Sequence, residues 1–469
     1  MARPFTAPRP SSYAEIPPPI GARTAARLEL PPGPRGLPGA LLPRFLRDTP
    51  GFLLDLHRRY GDAASFFLMG QLFIAVFTPE AVVDVTVRRQ HAFIKGVGFE
   101  RMRKVLGTGL LTNEEPIHLR HRRMMQPPFH HERLDRFAAQ MQRVVREHLA
   151  RWPVGGRVSA NEELMHLTFR IVADLLFSTD IDRYADGVRH HMGVAIDRIE
   201  RTMLPGLDRL DAVPLPYFRA FRRSSDHLAA VADDIIESRV RSGERGDDLL
   251  GLLLAARDDD DRPMTHDEVR DETLTLILSG HETTANALTW AMAYLRDRDD
   301  LWAALAEEAR TALPEGETPT LRRLMAAPVS GAVLAEALRL APPVWVAPRR
   351  AIEDVEVGGV AVPRGAHVLV SQYATHRSPQ LFDRAEEFVP ERWLDGLEDR
   401  LPRGAYFPFG AGTRKCLGDQ FALLEGRIVL LEMARGVRPV PLREGLPRAN
   451  PRATYRPAGP VTSRVIAAP

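Results

Sequence analysis

The chain has 469 residues, of which 44% are hydrophobic and 26% charged, and its formal net charge is +2. That composition fits a soluble globular protein and supplies no global field for nucleic acid or an anionic membrane. Cys416 is the only cysteine, which excludes an internal disulfide and any zinc site built from several thiolates. Lysine occurs only at positions 95, 104 and 415, so the basic charge is almost entirely arginine. The first 30 residues hold no apolar run able to act as a signal segment or membrane span, so a cytoplasmic protein without an anchor is expected.

Residues 1–38 are rich in proline and read as a tail with a stiff lead-in. From 39 to 469 neither a linker nor a repeat interrupts the chain, which predicts one large domain. "FLLDLHRRYG" (52–61) has the pattern of an amphipathic helix closed by glycine, and "SFFLMGQLFIAVF" (65–77) that of a hairpin. A helix is expected within 113–129, with Asn113 as its N-cap and a stop at Pro127. Residues 161–178 and 225–240 also read as helices. A helix about 30 residues long follows at 265–295, opened by a Thr265–Glu268 capping box. At 1.5 Å per residue it spans about 45 Å, enough to cross the whole molecule. Residues 351–372 alternate like short strands. The fold class is mainly α with a minor β-sheet region.

Residues 407–418 read "FPFGAGTRKCLG" and fix Phe409, Gly412, Arg414, Cys416 and Gly418 in the pattern F-x-x-G-x-R-x-C-x-G. Glycines let the backbone turn tightly and aim N–H groups at the sulfur, and the helical run that follows presents a positive dipole end. Those features favour a thiolate, and an inert buried cysteine would need neither the glycines nor Arg414. A single thiolate suits an iron already held by four porphyrin nitrogens, with the sixth position open.

This loop resembles the haem-binding loop of the cytochrome P-450 superfamily, the haem-thiolate monooxygenases. The resemblance implies haem b, with Cys416 as axial iron ligand, Phe409 against the sulfur side and Gly418 completing the loop. It recurs at "SGHETT" (279–284), inside the long helix, which is similar to the family's oxygen-side element. There it implies that Gly280 opens a groove and that Glu282 and Thr283 serve proton delivery, with Ser279 standing where alanine is more usual. Glu336 and Arg339 of "EALR" and Arg392 of "PERW" are implied to form a buried charge triad beneath the cysteine loop. His118, Arg122, Arg349 and Arg414 are the implied partners of the haem propionates. A mainly helical, triangular body with a small sheet is the fold that the resemblance carries.

The implied reaction is insertion of one atom of O2 into a C–H bond of a small apolar substrate, using two electrons supplied from outside. With no flavin domain or dinucleotide fingerprint in the chain, a ferredoxin or flavodoxin is expected as donor to a monomer. It would dock on the cysteine side, where Arg122, Arg123, Arg414, Lys415 and Arg427 offer positive charge. Expected substrate-lining segments are the loop 95–111, Leu276, Ser279, "PPVWVAP" (342–348) and "ATYRP" (453–457). "LAPPVWVAPRR" and "YFPFGAGTRKCLGDQFALLEG" look most like bacterial relatives acting on terpenoids or carotenoids, with fatty-acid hydroxylation as the alternative. A non-catalytic haem-thiolate sensor is the alternative of another class, disfavoured because a sensor needs no proton relay.

Overall fold

The computed structural model describes residues 17–25, 28–34, 39–177, 216–243 and 248–468, with isolated positions at 184, 187–188, 190–195 and 246. The first long helix shows how local sequence sets its own limits. Asp48 starts α1 (Thr49–Tyr60) by accepting the Gly51 N–H at 3.0 Å, and Gly61 ends it at φ 79°. Met69 and Gly70, both left-handed, turn β1 (Ala63–Leu68) into β2 (Gln71–Val76). β3 (Phe93–Lys95) then leads through α2 (Val97–Leu106) and α3 (Ile117–Met125) to α4 (His131–Leu149).

β4 (Arg157–Ser159) and α5 (Ala160–Phe177) precede α6 (Pro216–Ser242) and the long α7 (His266–Tyr294). The Thr265–Glu268 capping box is formed at the start of α7, through bonds of 3.2 and 2.8 Å. α8 (Asp299–Ala312) and α9 (Pro328–Leu340) follow, then β5 (Ala347–Ala351), β6 (Val355–Val357), β7 (Val360–Val362) and β8 (His367–Val370). The cysteine loop feeds α10 (Asp419–Arg435), and β9 (Val437–Pro441), β10 (Ala449–Pro451), β11 (Tyr455–Pro457) and β12 (Thr462–Ala467) complete the described chain.

The principal sheet has the order β1-β2-β8-β5-β3, with only β2 and β8 parallel. The largest apolar core lies where α4, α5, α7, α8, α9 and α10 meet. α7 and α10 are both buried around most of their circumference, so polar residues on them face protein rather than bulk water. No helix among the described residues is long and apolar enough to cross a membrane.

Three local expectations change. Asn113 caps nothing: it is buried, its amide lies 3.3 Å from His121 Nδ1, and α3 starts only at Ile117. Its carbonyl instead takes the guanidinium of Arg414 at 3.0 Å, a partner from far along the chain. Much of 95–111 is the helix α2 rather than a loop. Of the proline-rich lead-in, residues 28–34 run beside β1, where Ser65 donates its N–H to Pro32 O at 3.1 Å and its hydroxyl to Pro31 O at 2.6 Å. Residues 1–16, 26–27 and 35–38 of that lead-in lie outside the described residues.

Candidate active site

The cysteine loop is shaped by one unavoidable glycine. Gly412 has φ 71°, and a Cβ there would sit 1.8 Å from Thr86 O. The next residue, Thr413, is anchored to Gln90 Oε1 through both its N–H and its hydroxyl, at 3.1 and 2.8 Å. Cys416 N–H donates to Phe409 O at 2.8 Å, which closes the loop and accounts for the fixed spacing of those two residues. Gly418 is under no such steric demand. Its backbone N–H serves the Cys416 sulfur instead.

The expectation of a self-stabilised thiolate is corrected here. Burial pushes the Cys416 thiol up, and the opposing help from the Gly418 N–H, Arg122 and Lys415 does not overcome it. Yet Cys416 is accessible. A sulfur that is both accessible and desolvated faces an interior cleft rather than open solvent. A bound cation supplies the charge needed to deprotonate such a thiol outright. The donor set therefore fits an iron porphyrin.

Beneath the loop, Glu336 and Arg339 are both completely buried and joined by two parallel bonds of 2.9 and 2.8 Å. Arg392 Nε reaches Glu336 Oε1 at 3.2 Å, so the expected triad is assembled, and Trp393 Nε1 adds a bond to Oε2 at 2.8 Å. Arg339 also donates to the carbonyl of His376 at 2.8 Å. His376, held neutral by burial and by the neighbouring Arg339 and Arg377, accepts the Phe407 N–H at 3.0 Å. His376 thus links the triad to the first residue of the cysteine loop. No sequence motif pointed to it.

A second unforeseen residue is Lys95. The antiparallel register of β3 and β5 sets Lys95 directly opposite Arg349. Like charges in that position repel, and neither has open water to dilute the repulsion. Lys95 Nζ donates to the carbonyls of Leu110 and Leu111 at 2.9 and 2.6 Å. Arg414 comes from the cysteine loop, ion-paired to Glu114 and bonded to Asn113 O at 3.0 Å. His118, on α3, feels both Arg414 and Lys95, and its Nδ1 lies 3.0 Å from Glu115. Burial first, and Arg414 next, drive Lys95 well below its usual value and Arg349 down to about 10. This corner has more buried cations than Glu114 can balance, which is what two buried propionates require. Arg122 turns towards the thiol, donating to Lys415 O at 2.7 Å.

On α7, the hydroxyls of Thr283 and Ser279 donate back to Ser279 O and Thr275 O, at 2.8 and 2.7 Å. Gly280 serves helix packing: a Cβ there would meet Val172 of α5 at 3.1 Å. Glu282 is buried, and its Oε1 accepts the Thr454 hydroxyl at 2.6 Å. Glu425 of α10 is fully buried, which pushes it well above the carboxylate range and favours its protonated form, with the Thr284 hydroxyl beside it.

Two other expectations are corrected. Trp345 belongs to a core cluster with Phe52 and Phe66, and its Nε1 donates to Arg452 O at 2.9 Å, so its ring is committed to packing. Arg427 is buried, bonded to Ala327 O and pressed against Gly331, and adds nothing to a docking face. Arg123 is exposed and paired with Asp259 at 2.5 Å.

Comparison with known proteins gives a consistent result. The family model described as Cytochrome P450 matches residues 31–436. Cyclooctatin synthase of Streptomyces melanosporofaciens is 33% identical over 429 residues, 90% of this chain and 93% of that protein. Cyclooctat-9-en-7-ol 5-monooxygenase of the same organism is 35% identical, over 77% of this chain and 80% of its own length. Pentalenene oxygenase of Streptomyces avermitilis is 33% identical over 72% of this chain and 75% of its own. The crystal structure of the cytochrome P450DA heme domain superposes with a TM-score of 0.84 at 23% identity, covering 94% of this chain and 98% of that one.

Proposed function

The chain belongs to the cytochrome P450 family, and on that premise we propose that it hydroxylates a terpenoid, with Cys416 as the axial ligand of its haem b. As a family member it is a monooxygenase that takes O2, an apolar substrate and electrons from a redox partner. We read residues 39–469 as one domain and the protein as a cytoplasmic monomer reduced by a ferredoxin or flavodoxin. The terpenoid reading rests on the relatives, two of which are named for acting on an alkenol and an alkene. The observation that carries the chemical reading is the Cys416 loop, an accessible but desolvated sulfur held by Gly412, Phe409 and the Gly418 N–H.

Haem, when bound, supplies the activation of dioxygen and its insertion into a C–H bond. The protein's own residues provide the rest. Cys416 gives up its proton and donates charge through sulfur, with Arg122 beside it to stabilise the anion. Phe409 fixes the height of the loop through its carbonyl. His118, Arg349, Arg414 and Lys95 hold the propionates, and Arg122 spans from that group to the cysteine loop. Thr283 orients a proton donor with its hydroxyl, and Glu282 exchanges protons behind it. Leu276 and Ser279 face the substrate from α7.

The test is an absorption spectrum of the reduced, carbon monoxide-treated protein. A strongly red-shifted Soret band is expected, and Cys416→Ser should abolish it while the protein stays folded. An unshifted band in haem-loaded wild-type protein would overturn the assignment. Binding spectra with terpene hydrocarbons, terpene alcohols, carotenoids and fatty acids test the substrate class: tight binding confined to fatty acids would displace the terpenoid reading.

A further inference from the structure

Glu282 does not stand alone on α7. Glu282, Asn286 and Trp290 are spaced i, i+4 and i+8, one stripe of the helix, and all three are tied to the β10–β11 hairpin. Trp290 Nε1 donates to Tyr455 O at 2.9 Å. Asn286 Nδ2 donates to Thr454 Oγ1 at 3.1 Å, and the same hydroxyl donates to Glu282 Oε1 at 2.6 Å. The Thr454 hydroxyl thus acts as acceptor on one side and donor on the other. Arg456 approaches the same Oε1 at 3.6 Å. Both contacts fall on one carboxylate oxygen, which leaves Oε2 for proton exchange.

The hairpin is held from its other side as well. Tyr455 N–H donates to Pro343 O and Trp345 Nε1 to Arg452 O, both at 2.9 Å. It is therefore clamped between α7 and the segment at 342–348, two of the stretches expected to line the substrate. Thr283, one residue further along α7, points about 100° away from Glu282 and bonds only within its own helix.

We propose that Thr454 is a positioning residue for proton delivery: its hydroxyl fixes the Glu282 carboxylate, so that the β10–β11 hairpin governs where the acid sits. This rests on the reading of Glu282 as part of the proton relay. Removing the donor leaves Glu282 free to rotate and takes away a bond to its ionised form. The other charged or titratable neighbours of Glu282 are Arg456, from the same hairpin, and His281, which burial holds neutral.

Thr454→Val should lower the product formed per O2 consumed by roughly tenfold, the size expected when a hydrogen bond to a charged group is lost. The solvent deuterium isotope effect on coupling should change. The reduced carbon monoxide spectrum should stay as in wild type. Thr454→Ser should restore all of these values. Thr454→Cys, a weak donor of similar size, should fall between and serves if the valine variant misfolds. Glu282→Gln, measured in parallel, separates the two ideas. If it uncouples while Thr454→Val and Thr454→Cys behave as wild type, the positioning role is wrong and the relay stands. If Glu282→Gln itself remains fully coupled, the relay reading fails and takes the inference with it.

Discussion

The two faces of the site are built on opposite plans. On the cysteine side, the central acid is bound from several places at once: Glu336 takes bonds from Arg339 of its own helix and from Arg392, Trp393 and the Val389 N–H further along the chain. On the oxygen side, the hydroxyls of Ser279 and Thr283 are satisfied inside their own helix, and the acid is held from one distant hairpin, by the Thr454 hydroxyl with Arg456 near the same oxygen. The first plan sets a geometry that cannot relax without leaving a buried charge unpaired. The second allows side chains to turn without unfolding anything. Substitutions on the cysteine side should therefore appear as lost stability or lost cofactor, and those on the oxygen side as lost coupling.

Arg339→Ala gives the largest expected effect. It strands the Glu336 carboxylate in the interior and should cost about 3–5 kcal/mol in chemical denaturation. A loss below about 1 kcal/mol would break the contrast. Lys95→Met should act with opposite signs on the two forms of the protein. Without haem, removing one of two facing cations should raise stability by up to about 1 kcal/mol. With haem, the variant should lose the cofactor faster to an apomyoglobin acceptor.

The clasp between the two faces titrates. His121 of α3 lies 2.6 Å from Glu272 and 3.2 Å from Glu268 of α7, so both ring nitrogens donate and the ring is charged. Despite burial, these two carboxylates raise it from 6.5 to about 9. A raised folded-state pKa means stability that is fully present below pH 6.5 and lost as pH rises through about 9. Thermal denaturation between those limits should show that slope, and His121→Gln should flatten it. The smallest effect is expected for Glu425→Gln, because a carboxyl that already carries a proton is close in shape and charge to an amide. The change should cost about 1 kcal/mol or less, and a larger loss would mean that Glu425 is ionised.

What could be read in the sequence follows how local each signal is. The cysteine loop and the capping box of α7 are short-range patterns, and both are formed. Glu336 and Arg339 lie one helical turn apart, whereas their partner Arg392 was reached only through the resemblance. Lys95 and Thr454 fall in segments expected to line the substrate, but their actual roles were not legible, because each acquires its role from a partner far along the chain, Arg349 and Glu282. Asn113 and Arg427 misled for the reverse reason. Each has the local look of a cap or a surface charge, and only the fold shows it buried. The run "RIVLLEMA", which Arg427 opens, carried a warning, since a largely apolar helix leaves little wet face for an arginine.

The run of prolines around Gly33 beside β1 has one more consequence. β1 is the outermost strand of its sheet, and the carbonyls of Pro31 and Pro32 occupy its open side at Ser65. Gly33 passes so close that a Cβ would lie 1.7 Å from Ser65 O. Proline has no N–H to offer, so this strip seals the sheet against recruiting strands from another molecule. Anyone trimming the chain at residue 38 to obtain a tidier protein would be removing its guard against aggregation.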